Sequence, residues 1–324
     1  MKVIFVASGN KKGGSNVSAF VQSQYDSLKK EGLEMRLVGT EGKGAKAYLR
    51  TAWKLRKMIR EFRPDVVHAH YSVCGYVAAL ACIGLRHKPQ IVVSILGSFP
   101  KRNRKWRLVR FCIQHVWDKT LVKSERTKKQ LGLDLLIIPN GVNLDIFRSM
   151  DYAESRKEVG FDDKRKYIIW CSNPERPEKN WKLAVDGVRE LESEGVRAEL
   201  VAVYNKTPEE VCTYMNAADC LLLTSWSEGS PNVIKEAMAC NCPIVTVEVG
   251  DVTERLDGLD GCYVAPGCWD ERVCELGSER VRELGKYIGK ALAFGKRTEG
   301  RKRIVADGLT IELTAQKIIK LYNE

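Results

Sequence analysis

The chain has no apolar stretch long enough to span a bilayer, and its opening, Met1-Lys2-Val-Ile-Phe-Val-Ala7, is too short for a signal peptide. A soluble protein, or one lying on a membrane surface, is expected. The paired spacing of a secreted disulfide framework is also missing. Eleven cysteines are scattered through apolar segments, which reads as reduced, buried thiols in a cytosolic protein. Cys240 and Cys242 make a C-x-C without a second pair at zinc spacing, so no metal is assigned to them. No Asp-x-Asp occurs, which removes a dedicated metal-binding carboxylate pair of that kind. The loop Gly9-Asn-Lys-Lys-Gly-Gly-Ser15 has the G-x4-G spacing of a phosphate loop, but Ser15 and Asn16 stand where lysine and a magnesium-binding hydroxyl are needed. A G-x-G-x-x-G fingerprint is absent from the same turn. ATPase and dehydrogenase readings fall with these absences, and no internal repeat or low-complexity tract suggests a solenoid.

What is present is an uneven charge. Residues 1–147 hold 27 Lys and Arg against 10 Asp and Glu, a balance of +17, while the remainder carries −5 of the total of +12. Much of the excess lies in Lys101, Arg102, Arg104, Lys105 and Arg107, where Val109, Cys112, Ile113, Val116 and Trp117 recur at helical spacing. That pattern describes an amphipathic helix with a cationic rim. Three readings stand for it: a solvated helix face, a surface for anionic lipid or a phosphate-bearing acceptor, and a nucleic-acid surface.

The length is comfortable for two α/β domains, and short apolar runs alternate with helical patterns in both halves. Strands are expected at Lys2–Ala7, Glu34–Val38, Val66–His68, Ile91–Leu96, Leu121–Lys123 and Leu135–Ile138, with helices between them. The polar stretch Asp145 to Lys166 has little periodicity and reads as linker. The alternation restarts with strands at Tyr167–Cys171, Ala198–Tyr204, Cys220–Thr224 and Ile244–Val247, and the chain ends in a helix, Thr310–Tyr322. The divisions expected are 1–147, 148–305 and 306–324. Two doubly wound sheets in tandem bind their ligand outside the carboxyl ends of their strands, in the cleft that they face.

One segment concentrates the chemistry. Glu228-Gly-Ser-Pro-Asn-Val-Ile-Lys-Glu236 follows directly on the apolar run ending at Thr224, and Ser230-Pro231 reads as an N-cap with proline at the first helical position. A helix starting there offers unpaired N–H groups to a pyrophosphate, and Gly229 lets the main chain approach. Glu228 and Glu236 bracket that site and cannot form an ordinary (i, i+4) pair. Carboxylates beside an anion site need another partner, and sugar hydroxyls are the natural one.

These residues resemble the retaining GT-B glycosyltransferases of the group 1 type, glycosyltransferase family 4, over nearly the whole chain. The most specific part runs from Ala218 to Ala239, with Pro243-Ile-Val245 and Val249-Gly250-Asp251 behind it. Supporting segments are Asp65-Val-Val-His-Ala-His70, Pro139-Asn-Gly-Val-Asn143 and Arg176-Pro-Glu-Lys179. The resemblance implies two Rossmann-like domains, the first receiving the acceptor and the second binding a nucleotide diphosphate sugar, with the last helix packing back on the first domain. It implies that Glu228 lies by the donor sugar as a catalytic residue that stabilises the reaction centre, and that Glu236 binds the ribose. The amides of Gly229, Ser230, Pro231, Asn232 and Val233 would then frame the phosphates, apart from proline's missing N–H, with Gly13 and Gly14 approaching from the first domain. Arg176 and Lys179 would supply the cations that replace a metal, and His70 would line the cleft near the acceptor or donor sugar as a catalytic residue; a core or strand-end histidine satisfied by backbone is the other reading of His70. No cofactor beyond the donor is implied.

The sequence departs from the family at Pro174, where an arginine is usual, and at Leu96, where a histidine is usual. The expected activity is sugar transfer with retained configuration to a glycan or lipid-linked acceptor in polysaccharide or lipopolysaccharide assembly. The expected location is the cytoplasm, peripheral to the inner face of the plasma membrane. A nucleotide-sugar epimerase or hydrolase of the same fold, and a non-catalytic polyanion binder, are the alternatives.

Overall fold

Val3, Ile4, Phe5 and Val6 are consecutive and all fully buried, as are Ile168 and Ile169. Such runs are satisfied only in parallel sheets covered on both faces. The computed structural model, which describes residues 1–9, 17–40, 44–97, 104–193, 195–269 and 277–324, contains two of them. Gly13, Gly14, Lys101 and Arg102 lie outside the described residues, as do the side chains of Arg104 and Lys105.

The chain divides into one unit formed by Met1–Gly141 with Ile311–Glu324 and a second formed by Val142–Thr310. The first unit runs β1 (Lys2–Ser8), α1 (Ala19–Lys30), β2 (Glu34–Thr40), α2 (Ala45–Phe62), β3 (Val66–His70), α3 (Ser72–Cys82), β4 (Gln90–Ile95), α4 (Arg104–His115), β5 (Lys119–Val122), α5 (Glu125–Leu131) and β6 (Leu136–Ile137). Its sheet has the order β2-β1-β3-β4-β5-β6. The second runs α6 (Tyr152–Val159), β7 (Lys166–Trp170), α7 (Trp181–Ser193), β8 (Ala198–Ala202), α8 (Pro208–Ala217), β9 (Cys220–Leu223), α9 (Asn232–Ala239), β10 (Ile244–Val247), α10 (Val252–Leu256), β11 (Cys262–Ala265), α11 (Ser278–Phe294) and α12 (Gly300–Ala306). Its order is β11-β10-β9-β7-β8. The last helix, α13 (Ile311–Asn323), belongs to the first unit.

Alternation along β1 assigns the layers of the first unit. Ile4 and Val6 pack with apolar residues of α2, α3 and α4, whereas Val3, Phe5 and Ala7 pack with α1 and α13. Helix α13 is tied down by polar bonds as well: Ser27 Oγ donates to the Ile311 carbonyl at 3.3 Å and Lys119 Nζ to the Leu321 carbonyl at 2.6 Å. At its end the Tyr322 hydroxyl lies 2.5 Å from His68 Nδ1, while His68 Nε2 lies 2.7 Å from the Ser94 hydroxyl.

The stretch 145–166 is not a linker. It holds α6, whose start is capped by Asp151, Oδ1 accepting from the Glu154 N–H at 2.9 Å, and whose end is a left-handed Gly160 at φ 76°. Hydrophobic periodicity missed it because the residue that anchors it is an arginine. Arg156 is 1% exposed; its guanidinium meets Asp219 Oδ2 at 2.7 Å and donates to the carbonyls of Asp162, Arg165 and Ala217. Tyr152 and Tyr167 face the same cation at 4.5 and 5.3 Å. The edge strand β11, four residues long and only partly covered, also gave no usable pattern.

Two predictions come from these buried polar groups. Arg156→Met should destabilise the second unit by about 3 kcal/mol, because Asp219 is left buried without its guanidinium; urea unfolding followed by fluorescence of the buried Trp170 checks it. The second concerns acid. Burial, reinforced by the Lys123 ammonium, pulls His68 down to about 3, and His70 is held well below its ordinary value by burial, His68 and Lys123. The unfolded chain binds protons at these sites below about 6.5 and the folded one does not, so stability falls as pH falls through that value. For His68 the loss reaches about 2 kcal/mol near pH 5, and His70 adds a loss of the same sign. Hydrogen exchange of the β3 and β4 amides, corrected for intrinsic rates, should show this loss, and His68→Asn with His70→Asn should flatten it.

Candidate functional site

Strands β7 and β9 are neighbours, yet the chain leaves β7 toward β8 on one side before returning to β9 on the other. Their carboxyl-end loops therefore diverge, and a doubly wound sheet binds ligands in the crevice that this creates. The loop after β7 ends in a 3₁₀ turn, Pro177–Lys179, and the loop after β9 runs from Thr224 to Pro231.

The two loops are stapled together by main-chain and hydroxyl bonds. Thr224 Oγ1 accepts from the Trp170 indole N–H at 3.0 Å and lies 3.1 and 2.9 Å from the carbonyls of Lys179 and Asn180. The Trp226 N–H donates to the Glu178 carbonyl at 3.0 Å. This brings Lys179 Nζ to 2.5 Å from Glu228 Oε1, with both side chains about four-fifths buried. Arg176 is not part of that pair. Its guanidinium forks onto Glu178 at 2.6 and 2.9 Å and is largely exposed.

The helix that follows begins one residue later than the sequence suggested. Pro231 is the N-cap of α9, and with neither N–H nor side-chain oxygen it caps nothing. Ser230 is not a cap either. Its hydroxyl donates to Asp251 Oδ2 at 2.8 Å and accepts from Lys235 Nζ at 2.9 Å, and Arg255 Nε reaches the same Asp251 oxygen at 3.0 Å. Burial pulls the Lys235 ammonium down to about 8, with Asp251 pulling the other way. The sequence marked Asp251 only as part of the family segment Val249-Gly250-Asp251, and gave Lys235 and Arg255 no role of their own. A buried lysine one residue before a glutamate in an amphipathic helix carries no pattern that reveals it.

Gly250 supplies the close approach. Its φ is 57°, and a Cβ there would stand 2.8 Å from the Gly229 carbonyl oxygen and 3.2 Å from Pro231 Cδ. The loop after β10 is thus pressed against the Gly229–Pro231 backbone, and only glycine permits it. At the opposite end of α9, Arg301 donates to the Ala239 carbonyl at 3.3 Å and Arg297 to the Cys240 carbonyl at 3.1 Å, so cations satisfy the C-terminal groups.

Glu236, in the second turn of α9, has no side-chain partner among the described residues and keeps a little solvent access. It lies deep enough that burial pushes its carboxyl up to about 7, the adjoining Lys235 opposing. Asn232 and Val233 open the helix and are partly exposed. His70, in the other unit, is wholly buried. Its ring stacks on His68 at 4.6 Å, and neither nitrogen has a hydrogen-bond partner among the described residues, so His70 is a core histidine. Arg107 lies exposed on α4.

Residues 11–146 match the family described as Glycosyltransferase Family 4, and residues 165–276 match Glycosyl transferases group 1. The chain is 28% identical over 284 residues to an uncharacterized glycosyltransferase of Methanocaldococcus jannaschii, covering 80% of each. It superposes on a sucrose-phosphate synthase from Thermosynechococcus elongatus with a TM-score of 0.73 at 15% identity, covering 100% of this chain and 98% of that one. The Anabaena protein HepE in complex with UDP-glucose gives 0.70 at 16% identity, with 100% and 99% covered. Likenesses this distant establish the fold, whereas the two family matches together span more than half of the 324 residues. With its two parallel sheets of six and five strands, the chain belongs to the GT-B glycosyltransferases of family 4, group 1 type.

Proposed function

We propose that the protein transfers a hexosyl group from a nucleoside diphosphate donor to an acceptor hydroxyl with retention of anomeric configuration and without a metal. The observation that carries this reading is the start of α9, which no side chain caps among the described residues, beside a carboxyl, Glu236, that burial pushes up to about 7 and that no described side chain satisfies. The diphosphate meets the α9 N-terminus and the Gly229 main chain, where N–H groups and the helix dipole favour negative charge. Glu236 accepts from the ribose hydroxyls once ionised. As the acceptor oxygen bonds to the anomeric carbon, the bond to the diphosphate breaks, and the leaving phosphate oxygen takes the acceptor proton. Charge growing on that phosphate is stabilised by preorganised N–H donors and by Lys179, which Glu228 holds in position at the sugar side. The UDP-glucose complex of the Anabaena relative supports a nucleotide-sugar donor.

The acceptor, in this reading, is lipid-linked and met at an anionic membrane surface from the cytoplasmic side. Support comes from the outer face of α2, α3 and α4, where Trp53 is 71% exposed and Ile83 and Phe111 are exposed as well. Exposed lysines and arginines of α2, among them Lys46, Arg50 and Lys57, surround the tryptophan.

Two predictions test this. Lys179→Ala should lower kcat by about 10²–10³ in a transfer assay, whereas Glu236→Ala should weaken donor binding by about tenfold to a hundredfold. Wild-type donor affinity should rise with pH through about 7 as Glu236 ionises, and Glu236→Gln should abolish that rise. Calorimetry with UDP-sugars and GDP-sugars reads both, and no uptake of any sugar nucleotide would sink the reading. For the membrane, vesicle sedimentation should show binding to anionic but not neutral vesicles, weakened by Trp53→Ser and by replacing Lys101, Arg102, Arg104 and Lys105 with alanine. Equal binding to both vesicle types rules out the surface role.

A further inference from the structure

The edge of the first unit where its strands begin holds a cavity lined by none of the residues assigned above to sugar transfer. It measures about 790 Å³ and opens between the C-terminal end of α2 and the segment joining α3 to β4. Asp65 and Pro89, immediately before β3 and β4, form its floor, so it lies opposite the carboxyl ends of the strands. Arg56 fixes the walls: its guanidinium donates to the Ala81 and Ile83 carbonyls at 2.9 and 2.5 Å, which caps the end of α3 and holds the following loop against α2.

The lining is cationic. Arg60, Arg63, Arg86 and Lys88 all contribute, against a single carboxylate, Asp65, which already accepts from the Lys2 backbone N–H at 2.7 Å. Lys88 is 3.9 Å from Asp118, a loose pairing, and among the described residues Arg60, Arg63 and Arg86 have no ion-pair partner. Like charges gathered in a concavity repel one another and focus a positive potential into it. Arg63 adds a second sign. It closes α2 in the left-handed conformation at φ 49°, where glycine is relaxed and a side chain is not, so the guanidinium is kept at that wall against the preference of the backbone.

We propose that this cavity is an anion site that takes a phosphate group, the guanidinium forks of Arg63 and Arg86 each donating to its oxygens. Planar guanidinium groups suit phosphate because two parallel N–H bonds reach two oxygens at once. Every residue lining it belongs to the first unit, whereas the donor loops belong to the second. The phosphate could belong to a lipid headgroup or to a soluble phosphate ester, and the experiment separates these sources.

The full-length protein is titrated with inorganic pyrophosphate by calorimetry, and its sedimentation is measured with vesicles of phosphatidylcholine alone and mixed with phosphatidylglycerol. Arg63→Gly combined with Arg86→Ala removes two guanidinium groups while easing the backbone at residue 63, so the unliganded variant should melt no lower than wild type. With the donor loops first saturated with UDP, pyrophosphate affinity should fall by about tenfold or more in the double variant, and the same loss should appear in a Lys179→Ala background. Loss in both the pyrophosphate and the anionic-vesicle arms assigns the headgroup, and loss with pyrophosphate alone assigns a soluble ester. Undiminished pyrophosphate binding in the double variant, or none by the wild type, overturns the proposal.

Discussion

The hydroxyl of Thr224 is the point on which the site depends. Standing at the end of β9, it takes the Trp170 indole proton from the neighbouring strand and returns a bond to the main chain at Lys179 and Asn180. A fully buried hydroxyl satisfied in both directions is costly to displace. It therefore holds the loop after β7 at a fixed distance from the loop after β9, and the Lys179–Glu228 pair forms across the crevice between them. Without that staple, two exposed loops would each carry a charge with no defined separation.

Behind the crevice, a second polar network performs the same service for α9. Lys235, Ser230, Asp251 and Arg255 form a chain of bonds in the interior, each member satisfied by the next. A buried network of this kind permits one arrangement, because any other leaves a polar group bare in a low-dielectric setting. The consequence is a rigid Gly229–Pro231 backbone, pressed from the other side by Gly250. Glu236 stays outside the network and is left near its point of ionisation. The same helix thus carries a lysine whose charge is spent on structure and a glutamate whose charge is held in reserve.

The two units use one topological plan with different fastenings. In the first, the terminal helix covers one sheet face and is tied to it through Tyr322, His68 and Ser94. In the second, arginines do the fastening. Arg156 gathers the carbonyls around α6, and Arg297 and Arg301 gather those at the ends of α8 and α9. Guanidinium groups suit this because one planar cation satisfies several orphan carbonyls at helix ends, which apolar packing cannot do.

Periodicity and local punctuation determined the alternation of strands and helices, since runs such as Cys220 to Leu223 have only one use in a covered sheet. They also located the Glu228–Gly229 loop and the helix after it, because glycine and proline there act on their own neighbours. Helix α6 was hidden, for its anchor is a charged residue whose partners lie as far along the chain as Asp219. The pairing of Lys179 with Glu228 rather than Arg176 with Glu228, the diversion of Ser230 from capping to Asp251, and the burial of His70 were decided only by the tertiary structure. The physical reason is common to all three. A local pattern states which groups a residue offers, but the partner it takes depends on which distant groups the fold brings within hydrogen-bond reach and shields from water.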